Sequence, residues 1–519
     1  MRKIISVLCL SLIFSPLAFC IQSHQKGRRV IVAGEGVTGT WAAAKISENL
    51  TQNDELIIVS PPKKDIIKDL GFGVFSNYTT SAFIPIGIQI EMGPINLEPP
   101  RRDDVNNGQS SERYVLDSKL YVSPDLDDET KNKLEQYITR DQSKNISSII
   151  LRYHRDICLT EWKKYIEKGG KGADFVGPDI LSPDTQSLEK IKEKIIQNRM
   201  NSGYPADDKN LNVLGPENMA ALLPRYAYII KAKKLSGLVG LDNDGRVKSK
   251  AVMTTLNKKI QHGKPKIVKI HAWVESLQTH KDDKGSTIVT GINLSNKKTL
   301  NADVVVLALG QGVEKVLQPA NLHLPILKKW GVVYSLSPDP RAESKEQPTI
   351  IMKGLGIVRD MPDIPVNVAL GEWILPKGVE PNPKNVMDFV KQSSLIINKE
   401  PNNPEEWKKP LLPVYVQPRP MTLDGLPVLD SSTKGLIILN PSGSQGNTQA
   451  PGSAYFAASK VLEQLGRSVP TQLKLPNTID WKQFELYPGR FKDTRTTIFV
   501  ASRKWSRSAV DQNAPFKTL

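Results

Sequence analysis

The sequence predicts an α/β fold, in which buried parallel strands alternate with helices. A β-branched run at 30–32 stops at Gly34, and the Ala-rich segment 41–50 favours a helix. A second hydrophobic run, 56–59, follows at the distance that a βαβ unit requires. A third hydrophobic run, 304–309, ends in glycines in the same way. Uninterrupted apolar runs of this length are typical of strands covered on both faces.

The turn after the first strand has the pattern G-x-G-x-x-G, formed by Gly34, Gly36 and Gly39. In a strand–turn–helix context the first glycine permits the sharp turn, and the second lets backbone approach a pyrophosphate. The third lets the helix, expected to begin after Gly39, pack on the strand. The pattern therefore predicts a dinucleotide site. Ser60 ends the second strand, where an acidic residue usually binds the adenosine ribose, and a hydroxyl binds it less strongly.

The composition is that of a globular protein with two or three domains. The chain has 519 residues, 39% of them hydrophobic, and a formal net charge of +16. This charge indicates affinity for anionic substrates or for the surface of an anionic membrane, although a solvated basic surface is the simpler interpretation. Basic residues are spread along the chain without a basic helix or zinc-finger spacing, which argues against a nucleic-acid partner.

The N-terminal segment 1–20 has the pattern of a cleaved signal peptide. Arg2 and Lys3 precede an apolar core at 4–14, and 18–20 resembles a cleavage site. The sequence thus predicts an exported protein, periplasmic or secreted. Cys158 is the only cysteine beyond the signal, so no disulfide is expected within the mature chain. No later stretch is long and apolar enough for a transmembrane helix.

The rest of the chain contains further elements and loops. Helical patterns are predicted at 127–137, 146–167, 182–200, 251–260 and 454–465, a strand at 267–274, and an antiparallel sheet within 320–415. Residues 90–150 include an exposed loop that marks a boundary or insertion. A Gly-rich loop, 443–446, follows a strand at 436–439 and opens a helix, so its N–H groups could stabilise an anion.

The order of these motifs resembles the D-amino acid oxidase superfamily of FAD-dependent oxidoreductases, which includes D-amino acid oxidases and dehydrogenases and glycine oxidase-like enzymes. The resemblance covers about residues 28–491. Besides the first glycine turn, the segments that carry it are 79–81, 244–247, 303–310, 419–427, 443–451 and 484–491.

The resemblance implies a split architecture. A Rossmann-like FAD-binding domain would be assembled from residues 28–90, 225–320 and 416–475. A substrate domain with a mixed or antiparallel sheet, including an insertion, would comprise 91–224 and 321–415. Residues 476–519 would form a C-terminal tail.

The resemblance also implies which residues contact FAD. The pyrophosphate would lie on the first glycine turn, the ribose at Ser60, and the adenine against the backbone of Val274. Around the flavin, the implied residues are Thr79, Thr80, Gly310, Gly443, Ser444, Gly446, Asn447 and Thr448.

Arg419 is the residue implied to bind a substrate carboxylate. A guanidinium group binds a carboxylate through two parallel hydrogen bonds. Pro420 favours an extended backbone at the preceding residue, Arg419, as expected for a strand. A surface ion pair is the alternative interpretation of Arg419. No catalytic side chain is nominated, because in this family the substrate's Cα–H passes to the flavin as hydride. No metal is expected, because the histidines lack metal-ligand spacing.

The leading functional hypothesis is an FAD-dependent oxidoreductase that acts on an amino acid or related amine and passes electrons to oxygen or to a membrane acceptor. One alternative is a hydroxy-acid or glycerol-phosphate-type dehydrogenase. Another is a non-catalytic binding protein with the same fold that has lost tight FAD binding. Ser60, in place of the usual acidic residue, is consistent with this alternative.

Overall fold

The fold is given by a computed structural model, which describes only part of the chain. The described residues are 27–62, 80–82, 150, 152–175, 179–201, 210–241, 245–322, 324, 326–336, 350–352, 356–359, 366–375, 415–422, 426–440 and 446–486. The predicted signal peptide 1–20, the helix at 127–137 and the segment 487–519 lie outside these residues, and so do most residues of the 90–150 loop.

The described residues form twenty strands, eight α-helices and one π-helix. The strands are β1 (Arg29–Ala33), β2 (Glu55–Ser60), β3 (Thr80–Ala82), β4 (Ala173–Asp174), β5 (Asp179–Ser182), β6 (Asn212–Leu214), β7 (Ser236–Val239), β8 (Arg246–Lys248), β9 (Lys266–His271), β10 (Val274–Lys281), β11 (Thr287–Leu294), β12 (Thr299–Asn301), β13 (Val304–Leu307), β14 (Leu327–Leu336), β15 (Ile350–Met352), β16 (Gly356–Arg359), β17 (Val366–Leu375), β18 (Tyr415–Met421), β19 (Val428–Asp430) and β20 (Leu436–Asn440). The helices are α1 (Val37–Ser47), α2 (Thr160–Glu167), α3 (Thr185–Asn201), α4 (Pro216–Leu222), α5 (Ala227–Ala232), α6 (Ser249–Gln261), α7 (Val313–Leu317) and α8 (Gly446–Gln464), and the π-helix is His154–Leu159.

The main sheet has six strands in the order β19-β20-β13-β1-β2-β9. Five of them are parallel, and β19 runs antiparallel to β20 at one edge. The four central strands are almost wholly buried, which is why each appears in the sequence as a continuous apolar run. The carboxyl ends of the parallel strands meet at one edge of this sheet.

Each face of the main sheet packs against a different layer. Alternate residues such as Val30 and Val32 pack against α1, α6 and α8, whereas Ile31 and Ala33 pack against α7 and the small antiparallel sheet β10-β11-β12. This alternation follows from the two-residue period of a strand. Helices therefore cover one face of the dinucleotide-type sheet and a β-layer covers the other.

A second, larger sheet has eight strands in the order β18-β14-β17-β16-β15-β5-β7-β6. Its pairs are antiparallel except for β15 with β5. The antiparallel sheet predicted within 320–415 is thus part of a mixed sheet that also includes earlier strands. The edge strand β18 contains Pro418 and Pro420, which lack N–H groups and are tolerated at an edge. Among the described residues, no helix combines the length and the apolarity needed to cross a bilayer.

Several predicted element boundaries are wrong in detail. The helix predicted at 454–465 begins at Gly446, and the helix predicted at 182–200 begins at Thr185. Helix α1 begins at Val37, with Gly36 as its N-cap, and not after Gly39. The strand predicted at 267–274 ends at His271, and Val274 starts the next strand, β10. Helix α1 begins early because Thr40 N–H already donates to Gly36 O, so Gly39 lies within the helix. The strand at 267 ends early because the chain turns after His271, although the apolar sequence continues to Val274.

Two segments pack against the main sheet's helical layer. Residues 152–167, assigned from the sequence to the substrate domain, place Tyr153 and Trp162 in the same core as α1 and α8. Residues 476–486, assigned to the tail, place Phe484 in that core as well, fully buried. The domain boundaries themselves stay a prediction.

Candidate functional site

The first glycine turn joins β1 to α1 and is packed tightly at both ends. Gly34 has a φ of +111°, and its N–H donates to Val59 O at 2.8 Å. A Cβ on Gly34 would clash with Ala308 O, and one on Gly39 would clash with Gly34 O. A positive φ and these close approaches both require glycine. Gly34 and Gly39 therefore have the turning and packing roles predicted for them.

The middle of the same turn is open. A Cβ on Gly36 would meet no atom within 4 Å, and Gly36 caps α1 without a side-chain hydrogen bond. The first turn of α1 contains no acidic residue. The first N–H groups of a helix carry partial positive charge and lack partners within the helix. This end of α1 is thus suited to a phosphate group.

The second glycine turn and Gly446, the described end of the third, lie at the same edge of the sheet as the first turn. Ala308, just before the second turn, packs against Gly34 and Gly39, and a Cβ on Gly310 would lie 3.9 Å from Pro420 Cγ. A Cβ on Gly446, where α8 begins, would lie 3.8 Å from Val37 Cγ1. Strands β1, β13 and β20 are neighbours, so their carboxyl ends lie together at this edge. Ligands of open α/β sheets bind in this position.

Two asparagines at this edge have buried amide atoms without partners among the described residues. Asn440, which ends β20, is fully buried, and neither its Nδ2 nor its Oδ1 makes a hydrogen bond within that part of the chain. The same is true of the buried Oδ1 of Asn447, in the first turn of α8. Buried polar atoms are nearly always hydrogen-bonded, so these amides fit a polar ligand such as the flavin ring. The sequence reasoning missed Asn440, although a polar residue that ends an apolar strand was a usable signal.

A buried aromatic layer fixes the start of α8. The Trp162 indole N–H donates to Asn447 O at 3.2 Å, and the Tyr153 hydroxyl donates to Gln449 O at 3.2 Å. Thr448, which lies between Asn447 and Gln449 in the sequence, is buried as well. His154 in the π-helix is also buried, and burial lowers its pKa to about 3, so its ring is neutral. A neutral, hydrogen-bonded layer thus holds the first turn of α8, which includes residues that the resemblance places beside the flavin.

Ser60 lies at the far side of the first turn and is already hydrogen-bonded within the protein. It is 2% exposed, and its Oγ lies 2.8 Å from His271 Nδ1. Val274 begins β10 three residues after His271. The predicted ribose residue, Ser60, is therefore linked by strand pairing to His271, which precedes the predicted adenine residue, Val274, by three positions.

The remaining predicted residues are placed as follows. Arg419 lies in edge strand β18, opposite Lys329 of β14. Thr80 begins β3, which pairs with β8 in a separate three-stranded sheet. Thr79, Gly443 and Ser444 lie outside the described residues.

Fold and site together define a dinucleotide-binding protein that also has a second, mixed sheet. The sequence profile of DAO, the FAD dependent oxidoreductase family, matches residues 126–460. Since this match covers more than half of the chain, the protein belongs to that family, and FAD is its cofactor. The first glycine turn lies before the matched region, and its geometry, with Gly36 open to the N-terminus of α1, fits the pyrophosphate of FAD.

Solved structures of amine and amino acid oxidoreductases share the fold. Iminodiacetate oxidase from Chelativorans sp. BNC1 is 16% identical with a TM-score of 0.56, covering 85% of this chain and 97% of that chain. Glycine oxidase from Geobacillus kaustophilus is 13% identical with a TM-score of 0.53, covering 88% and 98%. Fructosyl amine:oxygen oxidoreductase (Amadoriase I) from Aspergillus fumigatus is 13% identical with a TM-score of 0.55, covering 90% of both chains. No curated protein matches the sequence significantly. At these identities the likeness supports the fold alone.

Proposed function

We propose that the protein oxidises an amino acid or a related amine with FAD as the electron acceptor. Membership of the DAO family supports the redox class, and the structures that share the fold include enzymes named for glycine, iminodiacetate and fructosyl amine oxidation. When bound, FAD would accept a hydride from the substrate's Cα. The substrate would lose an amine proton to solvent, and water would hydrolyse the resulting imine. Oxygen or a membrane acceptor would be the final electron acceptor.

The observation that carries this proposal is the position of Arg419. Pro420 Cγ lies 3.9 Å from where a Gly310 Cβ would be, so strand β18 passes the second glycine turn. Arg419 precedes Pro420 in that strand, and a permanently charged guanidinium is the group that suits a substrate carboxylate. Binding the carboxylate would leave the amine-bearing carbon to be oriented by the rest of the site.

The test is anaerobic reduction of the purified holoprotein by panels of donors. Bleaching of the flavin absorbance by D- or L-amino acids or by N-substituted glycines supports the proposal. Bleaching only by 2-hydroxy acids or glycerol phosphate would replace it with the dehydrogenase alternative. A holoprotein that no donor of either panel reduces would indicate a binding protein.

Arg419→Ala is predicted to raise the KM for carboxylate substrates. Loss of hydrogen bonds to a charged group costs about 1.5–3 kcal/mol, which corresponds to a roughly 10- to 100-fold change. FAD content should stay unchanged, because the substituted side chain is assigned to the substrate. The measurement is steady-state kinetics with flavin quantified in each preparation.

Lys329→Ala is the matched control for Arg419→Ala. Lys329 is the cross-strand partner of Arg419, and directly opposed residues lie on the same face of a sheet. Removal of this second cation should leave KM within about twofold. If both variants raise KM equally, a diffuse positive field attracts the substrate and Arg419 is not its specific ligand.

We also propose export through the signal at 1–20, with removal of that segment. N-terminal sequencing of the protein from its native host tests this. A mature chain that still begins at Met1 would contradict it.

A further inference from the structure

We propose that His271, oriented by Ser60, binds the adenosine ribose of FAD in place of the carboxylate that usually ends the second strand of a dinucleotide-binding fold. Both residues lie at the opposite end of the first turn from the predicted substrate site. Their role in binding the cofactor is therefore independent of which donor the enzyme oxidises.

His271 and Ser60 end adjacent parallel strands at the edge where the glycine turns lie. They are direct register partners in the pair β2–β9, and Ala272 N–H donates to Ser60 O at 2.8 Å. The preceding residue, Val59, accepts the hydrogen bond from Gly34 N–H at 2.8 Å. The Ser60–His271 pair therefore lies one residue from the turn that is suited to the pyrophosphate.

Ser60 is poorly placed to bind the ribose alone. Its side chain is almost fully buried, and its hydroxyl is engaged with His271 Nδ1 at 2.8 Å. The His271 residue is exposed, and its Nε2 makes no hydrogen bond within the described part of the chain. With the ring proton on Nδ1, the imidazole donates to Ser60 Oγ and keeps a lone pair on Nε2. That lone pair can accept a hydrogen bond from a ribose hydroxyl, as a carboxylate would.

The acidic residue of the first turn is already paired. Glu35 Oε1 lies 2.5 Å from Lys269 Nζ, and the same ammonium group donates to Asn257 Oδ1 at 3.0 Å. Lys269 precedes His271 by two residues in β9, so both residues lie on the same face of that strand. One oxygen of Glu35 is thus engaged by a cation, and that cation also contacts α6 through Asn257. Within the described part of the chain, His271 Nε2 is an acceptor at this edge that makes no hydrogen bond.

The experiment measures binding of FAD and of FMN to the apoprotein by quenching of flavin fluorescence. FMN lacks the adenosine part, so it reports damage to the rest of the site. His271→Ala should weaken FAD binding roughly 2- to 10-fold, the range expected for one neutral hydrogen bond, and leave FMN binding unchanged. Ser60→Ala should shift FAD binding in the same direction by less, because the ring remains but loses its orienting partner.

His262→Ala is the matched control. His262 is another exposed histidine, hydrogen-bonded to Lys258 O at the end of α6, and its loss should leave both affinities unchanged. The proposal is overturned if His271→Ala binds FAD as the native protein does, or if it loses FAD and FMN equally. It is also overturned if Glu35→Gln, and not His271→Ala, gives the FAD-specific loss. None of these binding results predicts which donors reduce the flavin in the anaerobic test. Failure of the His271 proposal can therefore be distinguished from failure of the proposed function.

Discussion

The three glycines of the first turn differ in the space around them. Gly34 and Gly39 face backbone oxygen atoms at distances that exclude a Cβ, whereas Gly36 faces open space. The first two therefore contribute to folding, and Gly36 leaves room for a ligand at the N-terminus of α1.

Substitution at these positions should separate folding from cofactor binding. Gly36→Val should fold normally, because its φ of −71° suits any residue, but should lower FAD content since the side chain fills the phosphate position. Gly39→Ala should destabilise the fold by about 1–3 kcal/mol or more through overpacking. Thermal unfolding and flavin content measured together test both. A Gly36→Val protein with full FAD content would contradict the role assigned to Gly36.

Asp54, just before β2, is a buried carboxylate with a complete set of partners. It is 1% exposed and accepts two hydrogen bonds from Arg467, at 2.6 and 2.7 Å, and others from the backbone of Arg28 and Thr51. Burial alone would raise the pKa of Asp54, but the hydrogen bonds from Arg467 and the backbone hold it well below the usual value. The pair connects the main sheet to the end of α8.

Arg467→Ala should destabilise the protein by about 3–5 kcal/mol at neutral pH, because it leaves a buried charge without its partner. A carboxylate whose pKa is lowered by folding stabilises the fold above its unfolded pKa of about 3.9, and this contribution is lost as the pH falls. The difference between native and variant should therefore shrink in acid. Urea unfolding at several pH values measures it.

Arg28→Ala is the control for Arg467→Ala. The Arg28 side chain pairs with Asp303 at an exposed position, and such pairs contribute about 0–1 kcal/mol. A difference between native and Arg467→Ala protein that stays constant from neutral to acid pH would show that lost packing, and not the ion pair, causes the destabilisation.

At the scale of elements, the segment 152–167 stabilises the start of α8 from outside the main sheet. Its aromatic residues pack on α1, with the rings of Trp41 and Trp162 4.9 Å apart, and two of its side chains donate to backbone oxygens of α8. A π-helix interrupts this segment at His154–Leu159, and such irregularities often occur near functional sites. The segment 152–167 is therefore hydrogen-bonded to the first turn of α8, which includes residues that the resemblance places beside the flavin.

Trp162→Phe is predicted to weaken FAD binding severalfold, because it removes the hydrogen bond to Asn447 O and keeps the ring. Trp481→Phe is the matched variant, since Trp481 lies in the same aromatic cluster but donates to Pro476 O, away from the loop. Both should lose about 0.5–1.5 kcal/mol of stability. The flavin absorbance spectrum and FAD affinity should change in Trp162→Phe only. Equal changes in both would mean that the cluster acts through general packing.

Local patterns predicted the elements that are buried on both faces. The strands at 30–33, 56–60, 304–307 and 436–440 appear as apolar runs, since each is covered by two layers. The hydrogen bond between Ser60 and His271 could not be predicted, because it joins residues 211 positions apart through strand register. The same holds for the parallel pair β5–β15, which adds an early segment to the second sheet.

At the scale of the whole molecule, the site exists because three distant strands are neighbours. Strands β1, β13 and β20 come from the beginning, middle and end of the chain, and their carboxyl ends lie at the same edge of the sheet. The order of motifs along the sequence was sufficient to predict the family and this convergence. It was not sufficient to predict that residues 476–486 complete the core, because their packing partners are supplied by α8 and the 152–167 segment.

The most direct test of this account is the flavin content of the purified protein. Three converging glycine turns with an open helix N-terminus predict a yellow protein that releases about one FAD per chain on denaturation, identified chromatographically as the dinucleotide. A colourless protein that cannot be reconstituted with FAD, or one that binds FMN as tightly as FAD, would contradict the central claim that these turns bind the dinucleotide.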